Sequence, residues 1–103
     1  MKTSKKAQER KNTPVYSGAL SYFPDAIKYI GVVSKAGNDQ HHKGSPLHWD
    51  RTKSTDQLDA GTRHLIDHAK GDTFDDDGIR HLGKAAWRLL AQLQLDLEND
   101  KTN

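Results

Sequence analysis

The chain has 103 residues, of which 33% are hydrophobic, with a formal net charge of +2 and a mean hydropathy of −0.93; this is one small domain with a thin core, which oligomerisation is expected to complete. The absence of cysteine excludes disulfides, thiolate nucleophiles and cysteine-type zinc sites and agrees with a reducing cytoplasm. No apolar run approaches the roughly 20 residues of a membrane span, no apolar segment follows the lysine-rich start to make a signal peptide, and so small a net charge does not point to nucleic acid, so neither a membrane nor a specific nucleic-acid partner is expected.

Residues 1–12 carry Lys2, Lys5, Lys6, Arg10 and Lys11 against the single acid Glu9, without apolar periodicity, which is the pattern of a disordered basic arm. A single helical domain is expected over residues 13–99. Its lead-in, Thr13 to Tyr22, holds Pro14, Val15, Tyr16 and Leu20, which can pack across the body. The first helix is expected from Ser21, with Pro24 in the first turn where a missing N–H is harmless. Phe23, Ile27, Ile30 and Val33 or Ser34 recur at helical spacing, and Gly37 offers a left-handed stop. From Gly37 to Lys53 the periodicity breaks into an ordered loop of about 16 residues, longer than most connections in compact domains. Leu47 and Trp49 are placed to pin it to the body, with His48 facing outward.

Ser54 followed by Gln57 reads as a capping box, and Asp56 and Asp59 load the first turn of a second helix with charge that suits its dipole. Leu58, Thr62, Leu65, Ile66 and Ala69 form its apolar arc, and Gly71 stops it. The acidic turn Asp75-Asp76-Asp77-Gly78 then leads into the last helix, with Asp75 or Asp76 as its cap. Ile79, Leu82, Ala86, Leu89, Leu90, Leu93 and Leu97 make a strong stripe, the expected core face. Trp87, Ala91 and Leu95 lie off it and suggest a second buried face, toward a partner subunit. Residues 100–103 are expected to fray. With no strand-like alternation and no internal repeat, the fold class is all-α: a small bundle of about three main helices with a long ordered loop, completed by oligomerisation.

All six histidines and nine of the aspartates fall between Asn38 and His81, a concentration that a merely solvated surface does not need. If the second and third helices are antiparallel neighbours, Asp77 and His81 approach His64, Asp67 and His68 more readily than Asp56. Oxygen-rich clusters suit Mg²⁺ or Mn²⁺, and added imidazole shifts the choice toward Mn²⁺ or other transition ions. His64-x-x-x-His68 has the spacing to chelate a metal. The structural alternative is that His64 and His81 are interhelical hydrogen-bond partners. In the loop, His41, His42 and Lys43 beside Gly44, with Asn38 and Gln40, present donors on a backbone that can approach a phosphate, and Trp49 can stack on a base. The alternative there is that Trp49 plugs the core and the basic residues are solvated.

The succession GNDQH, KGSPLHW, DAGTRHL, the DDDG turn and RHLGKAAWRLLAQLQLDLE resembles the largely bacteriophage-encoded dATP/dGTP diphosphohydrolase-like family, related to the all-α MazG-type nucleotide pyrophosphohydrolases. The resemblance covers about Ser21 to Glu98. It implies an oligomeric helical protein, in the cytoplasm of an infected bacterial host, that hydrolyses a purine deoxynucleoside triphosphate to monophosphate and pyrophosphate with Mg²⁺ or Mn²⁺. On that reading Asp59, Asp75 and Asp77 hold the metal, and Asp59, His64 and His81 are the catalytic set. Asn38, Gln40, His41, Lys43 and Arg63 meet the phosphates and Trp49 the base. The chain departs from the MazG pattern of paired glutamates, offering Asp56-x-x-Asp59, and has Lys84 where the branch often has a second histidine. The rival expectation is a non-catalytic protein that sequesters a cyclic or signalling nucleotide, as an antidefence sponge does. A purely structural or regulatory protein would respond to no nucleotide at all.

Overall fold

The computed structural model describes residues 4–102. Lys2 of the expected basic arm and the last residue of the expected frayed tail lie outside the described residues. The helices are α1 (Lys5–Lys11), α2 (Pro24–His41), α3 (Gln57–Ala69) and α4 (His81–Thr102), with a π-helical turn at Tyr16–Leu20 between the first two. Among the described residues the only extended pairing is a single antiparallel bridge, Phe74 to Arg80. The fold is therefore all-α, as the patterning implies.

Several boundaries differ from those expected, each for a local reason. Lys5–Lys11 is helical rather than irregular, because Ser4 caps it by accepting a hydrogen bond from the Ala7 N–H at 3.1 Å, though the helix buries no residue. Pro24 stands at the first position of α2, and the helix runs past Gly37 to His41; a glycine within a helix weakens it without having to end it. The expected capping box at Ser54 does not form. Ser54 has φ +52° and Gln57 instead donates from Nε2 to its carbonyl at 3.0 Å, so α3 begins at Gln57. Gly71 does stop α3. At φ +96° it lets its own N–H reach the His68 carbonyl and the Asp72 N–H reach the Asp67 carbonyl, both at 3.0 Å, the paired bonds of a Schellman motif. The acidic run is a tight turn ahead of α4 rather than its cap. Asp75 N–H bonds the Ile79 carbonyl at 2.8 Å, Gly78 N–H bonds the Asp75 carbonyl at 2.9 Å, and Gly78 takes φ +81°.

Helix α4 is the spine. Against it α3 lies antiparallel: His64 meets His81, Gly61 meets Ala85 and Arg88, and Gln57 meets Arg88. On another side α2 crosses in the parallel sense, Tyr29 meeting Arg80 and Gly83, and Ser34 meeting Trp87. Both seams use small residues. A Cβ at Gly61 would stand 3.3 Å from the Arg88 Cβ, and one at Gly83 would stand 2.6 Å from the Tyr29 ring. The buried apolar residues are correspondingly small: Ala60, Ala85 and Ala91. The chain is elongated, 58 × 29 × 27 Å with a radius of gyration of 16.7 Å, against about 13 Å for a compact domain of this length.

The assignment of helix faces is reversed from the sequence expectation. Leu58, Leu65 and Ile66 on α3 and Leu82, Leu89, Leu90, Leu93 and Leu97 on α4 are each 44–56% exposed. The seam between the helices is built from alanine, glycine and hydrogen-bonded polar side chains. At about 100° per residue the two leucine arcs fall on the same side of the antiparallel pair, and a Cβ at Gly61 would be 3.7 Å from the Leu89 side chain, which joins them. Trp87 and Ala91, expected to face a partner, pack within the chain.

Candidate functional site

On the side of α4 opposite the leucine face, α2, α3 and the connection 42–56 enclose a cleft of about 810 Å³, within the range of small-molecule sites. One wall is aromatic. Trp87 donates from Nε1 to Ser34 Oγ at 2.7 Å, and Trp49 packs edge to face on it, ring centroids 5.6 Å apart. This contact pins the loop to the body, as expected of Trp49; Leu47, given the same role, is exposed. Arg51 covers the Trp49 ring at 4.4 Å and pairs with Glu98, tying the loop to the far part of α4. Asn38 anchors the other end of the loop, its buried amide donating to the Ser45 carbonyl at 3.0 Å.

The floor is ionic. Lys84 Nζ lies 2.7 Å from Asp75 Oδ2 and 2.7 Å from Asp77 Oδ2. The Lys84 hydrogen bond, with one from the Asp76 N–H, holds the Asp75 carboxyl below its ordinary range. Burial opposes ionisation of Asp77, but Lys84 and the Ile79 N–H outweigh it and lower that carboxyl too. Burial likewise works against the charge on Lys84, and the two carboxylates outweigh it and raise its pKa. The cluster is thus ionised at neutral pH. Beside it His64 and His81 face each other, Nδ1 to Nδ1, at 3.0 Å. His81 is buried, its Nδ1 3.9 Å from Asp67 and its Nε2 3.4 Å from Asp72. Burial, then the nearby Lys84 charge, lowers the His64 pKa, so its imidazole is neutral at pH 7. Arg88 lines the cleft as well, donating to Gln57 Oε1 at 3.1 Å.

Of the residues singled out in the sequence, Asn38, Gln40, His41, Trp49, His64, Asp75 and Asp77 line this cleft, and His81 stands directly behind His64. His48, expected to face outward, also reaches the lining. Three do not join them. Asp59 is exposed on α3 and outside the lining, because its position in the helical repeat turns it away from the α4 seam. Arg63 points along the outside of α3 toward Asp56, 3.5 Å away. Lys43 lines a neighbouring depression that shares Gln40 and Asp77 with the cleft. The fit to a metal held by Asp59, Asp75 and Asp77 is therefore poor: one carboxylate is elsewhere, and an ammonium already bridges the other two. A cation fits better at His64, Asp75 and His81, one donor atom from each lying within 4.8 Å of the others. Sequence reasoning missed Ser34, Lys53, Gln57, Trp87 and Arg88 as cleft residues. The only available signal was that Lys84 and Arg88 interrupt the apolar pattern on one side of the last helix.

Among the described residues no helix is long and apolar enough to cross a membrane. The chain matches no curated protein and no solved structure. The model of one family, described as dATP/dGTP diphosphohydrolase, N-terminal, matches residues 3–103. With essentially the whole chain covered, from the buried Asn38 through the histidine pair to the end of α4, this protein belongs to the dATP/dGTP diphosphohydrolase N-terminal family.

Proposed function

We propose that the cleft binds a purine deoxynucleoside triphosphate and that the assembled protein hydrolyses it to the monophosphate and pyrophosphate. The observation that carries this is the pairing of a tryptophan wall with the cations Lys53, Lys84 and Arg88 in one cleft of nucleotide size. The base lies against Trp87 and Trp49, where stacking contributes about 1–3 kcal/mol. The polyphosphate extends toward Arg88, Lys84 and Lys53, with His41 and Gln40 at its margin. Asp75 and Asp77 hold the Lys84 ammonium aimed into the cleft. In the reaction a water oxygen bonds to the α-phosphorus, the bond from that phosphorus to the bridging oxygen breaks, and pyrophosphate leaves with the electron pair. His64, Asp75 and His81 would hold a divalent cation beside this floor, Mg²⁺ or Mn²⁺ in the family expectation, which would supply charge neutralisation for the polyphosphate and a more acidic water. The test is pyrophosphate release from dATP and dGTP in the presence of Mn²⁺ or Mg²⁺, with Arg88→Ala slowing it on the order of 100-fold by removing charge stabilisation.

One observation favours a second reading. Lys84 already occupies both carboxylates and competes with a metal there, which suits capture of a nucleotide without metal. A capture protein is stabilised by nucleotide in excess chelator and returns it intact on denaturation; a hydrolase returns products. No product and no nucleotide-dependent rise in melting temperature sinks both readings.

The functional unit is a homo-oligomer in this proposal, formed by pairing the leucine face with a second copy. The eight half-exposed side chains of that face present on the order of 700 Å² per chain, close to the roughly 800 Å² per partner of a specific interface. Two antiparallel helix hairpins laid face to face close a four-helix bundle. Leu89→Glu with Leu93→Glu is expected to give a monomer by light scattering. An unaltered mass, or a monomeric parent, refutes this pairing.

A further inference from the structure

The two imidazoles at the edge of the cleft meet head to head, with Nδ1 atoms 3.0 Å apart and ring planes tilted by 34°. Ring nitrogens aimed at each other share either a proton or a cation, and the surroundings favour a cation. Asp67, Asp72, Asp75 and Asp77 crowd this corner against the positive charges of Lys84 and Arg88. His81 is buried with its Nε2 toward the Asp72 carboxylate. That neighbour favours the proton on Nε2 and leaves the Nδ1 lone pair free, the way metal-bound histidines are oriented. Asp75 is held by the tight turn, its N–H and carbonyl both bonded within residues 75–79. A tetrahedral ion with metal–nitrogen distances of about 2.0–2.1 Å places two nitrogen donors about 3.3 Å apart, so the observed pair has only a few tenths of an ångström to open.

We propose that His64 Nδ1, His81 Nδ1 and a carboxylate oxygen of Asp75 form a binding site for a transition-type divalent cation, with Lys84 as a built-in competitor for the carboxylate. Two imidazoles and one carboxylate select Mn²⁺, Co²⁺ or Zn²⁺ over Mg²⁺ and Ca²⁺, which require mainly oxygen donors. His64 and Asp75 both line the cleft, so the remaining coordination position opens toward it for water or a phosphate oxygen. Lys84 Nζ, 2.7 Å from Asp75, repels the incoming ion, and binding leaves it paired with Asp77 alone. This site deepens the hydrolytic reading and rests on it for its use, but its test needs no nucleotide.

Chelator-treated protein is titrated with Co²⁺, following visible d–d absorption and melting temperature. One equivalent is expected to bind, with Mg²⁺ failing to compete. Lys84→Gln is expected to tighten Co²⁺ binding on the order of tenfold by removing the competing charge. His64→Gln, at a half-buried position where misfolding is less of a concern than at His81, is expected to weaken it on the order of 100-fold. Absence of Co²⁺ binding in both the parent and Lys84→Gln overturns the site, as does binding that His64→Gln leaves unchanged. Pyrophosphate release without Co²⁺ binding refutes the site and keeps the hydrolase; binding without release does the reverse.

Discussion

Replacing Gly83 with alanine sets two physical effects against each other and so tests the seam that seats α2. In an unobstructed helix interior, glycine to alanine stabilises by about 1 kcal/mol. At Gly83 the added methyl would stand 2.6 and 2.7 Å from two Tyr29 ring carbons and 3.2 Å from Val33 Cγ2. The ring cannot simply swing aside, because the Tyr29 hydroxyl accepts a hydrogen bond from the N–H of Arg80, the residue just before α4, at 2.8 Å. Relief requires α2 to move as a body, carrying Ser34 and Asn38 with it. Overpacking of this kind costs about 1–3 kcal/mol; with the propensity gain subtracted, a net loss of about 1 kcal/mol remains, or about 4–8 °C in melting temperature for a domain of this size. Gly31 lies on α2 where an added Cβ would meet nothing within 4 Å; it is the control, and Gly31→Ala is expected to raise the melting temperature. Thermal melts at one fixed concentration measure both. In a Tyr29→Ala background the Gly83→Ala penalty should vanish, since the two residues touch and their effects couple. A higher melting temperature for Gly83→Ala in the parent would refute the close crossing of α2 over α4.

Other consequences concern the cleft. Trp87→Phe removes the hydrogen bond to Ser34 and is expected to lower stability by about 1 kcal/mol; Ser34→Ala should cost a similar amount, and the double variant little more than either. Arg51→Ala uncovers the Trp49 ring and frees the loop from Glu98 on α4. Because exposed ion pairs contribute about 1 kcal/mol or less, hydrogen exchange over residues 42–56 should quicken while the melting temperature barely moves. The His64 pKa is lowered in the folded state from 6.5, so its stabilisation is present above that pH and lost as pH falls through the folded value. Chelator-treated protein should therefore melt at lower temperature near pH 5.5 than near pH 7.5, and His64→Gln should flatten that dependence.

Much of this protein is legible along the chain before any packing is considered: its all-helical class, the positions of its three long helices to within a few residues, the Gly71 stop, and the stretch that supplies the cleft. Those properties are local. Helical spacing, a left-handed glycine and a cluster of imidazoles and carboxylates are written in order of residues. What each side chain meets depends instead on how the helices pack. Periodicity identified the leucine arcs but not which of two faces would lie against the chain's own helices. The seams went to glycine, alanine and hydrogen-bonded polar residues, because only small side chains permit the approach seen at Gly61 and Gly83. For the same reason Asp59, a residue of apparent promise, faces away from the cleft. Lys84, which in sequence merely interrupts a pattern, settles between Asp75 and Asp77. Charge type is written in the chain, whereas the distance between charges, which sets their energy, exists only once the helices have come together.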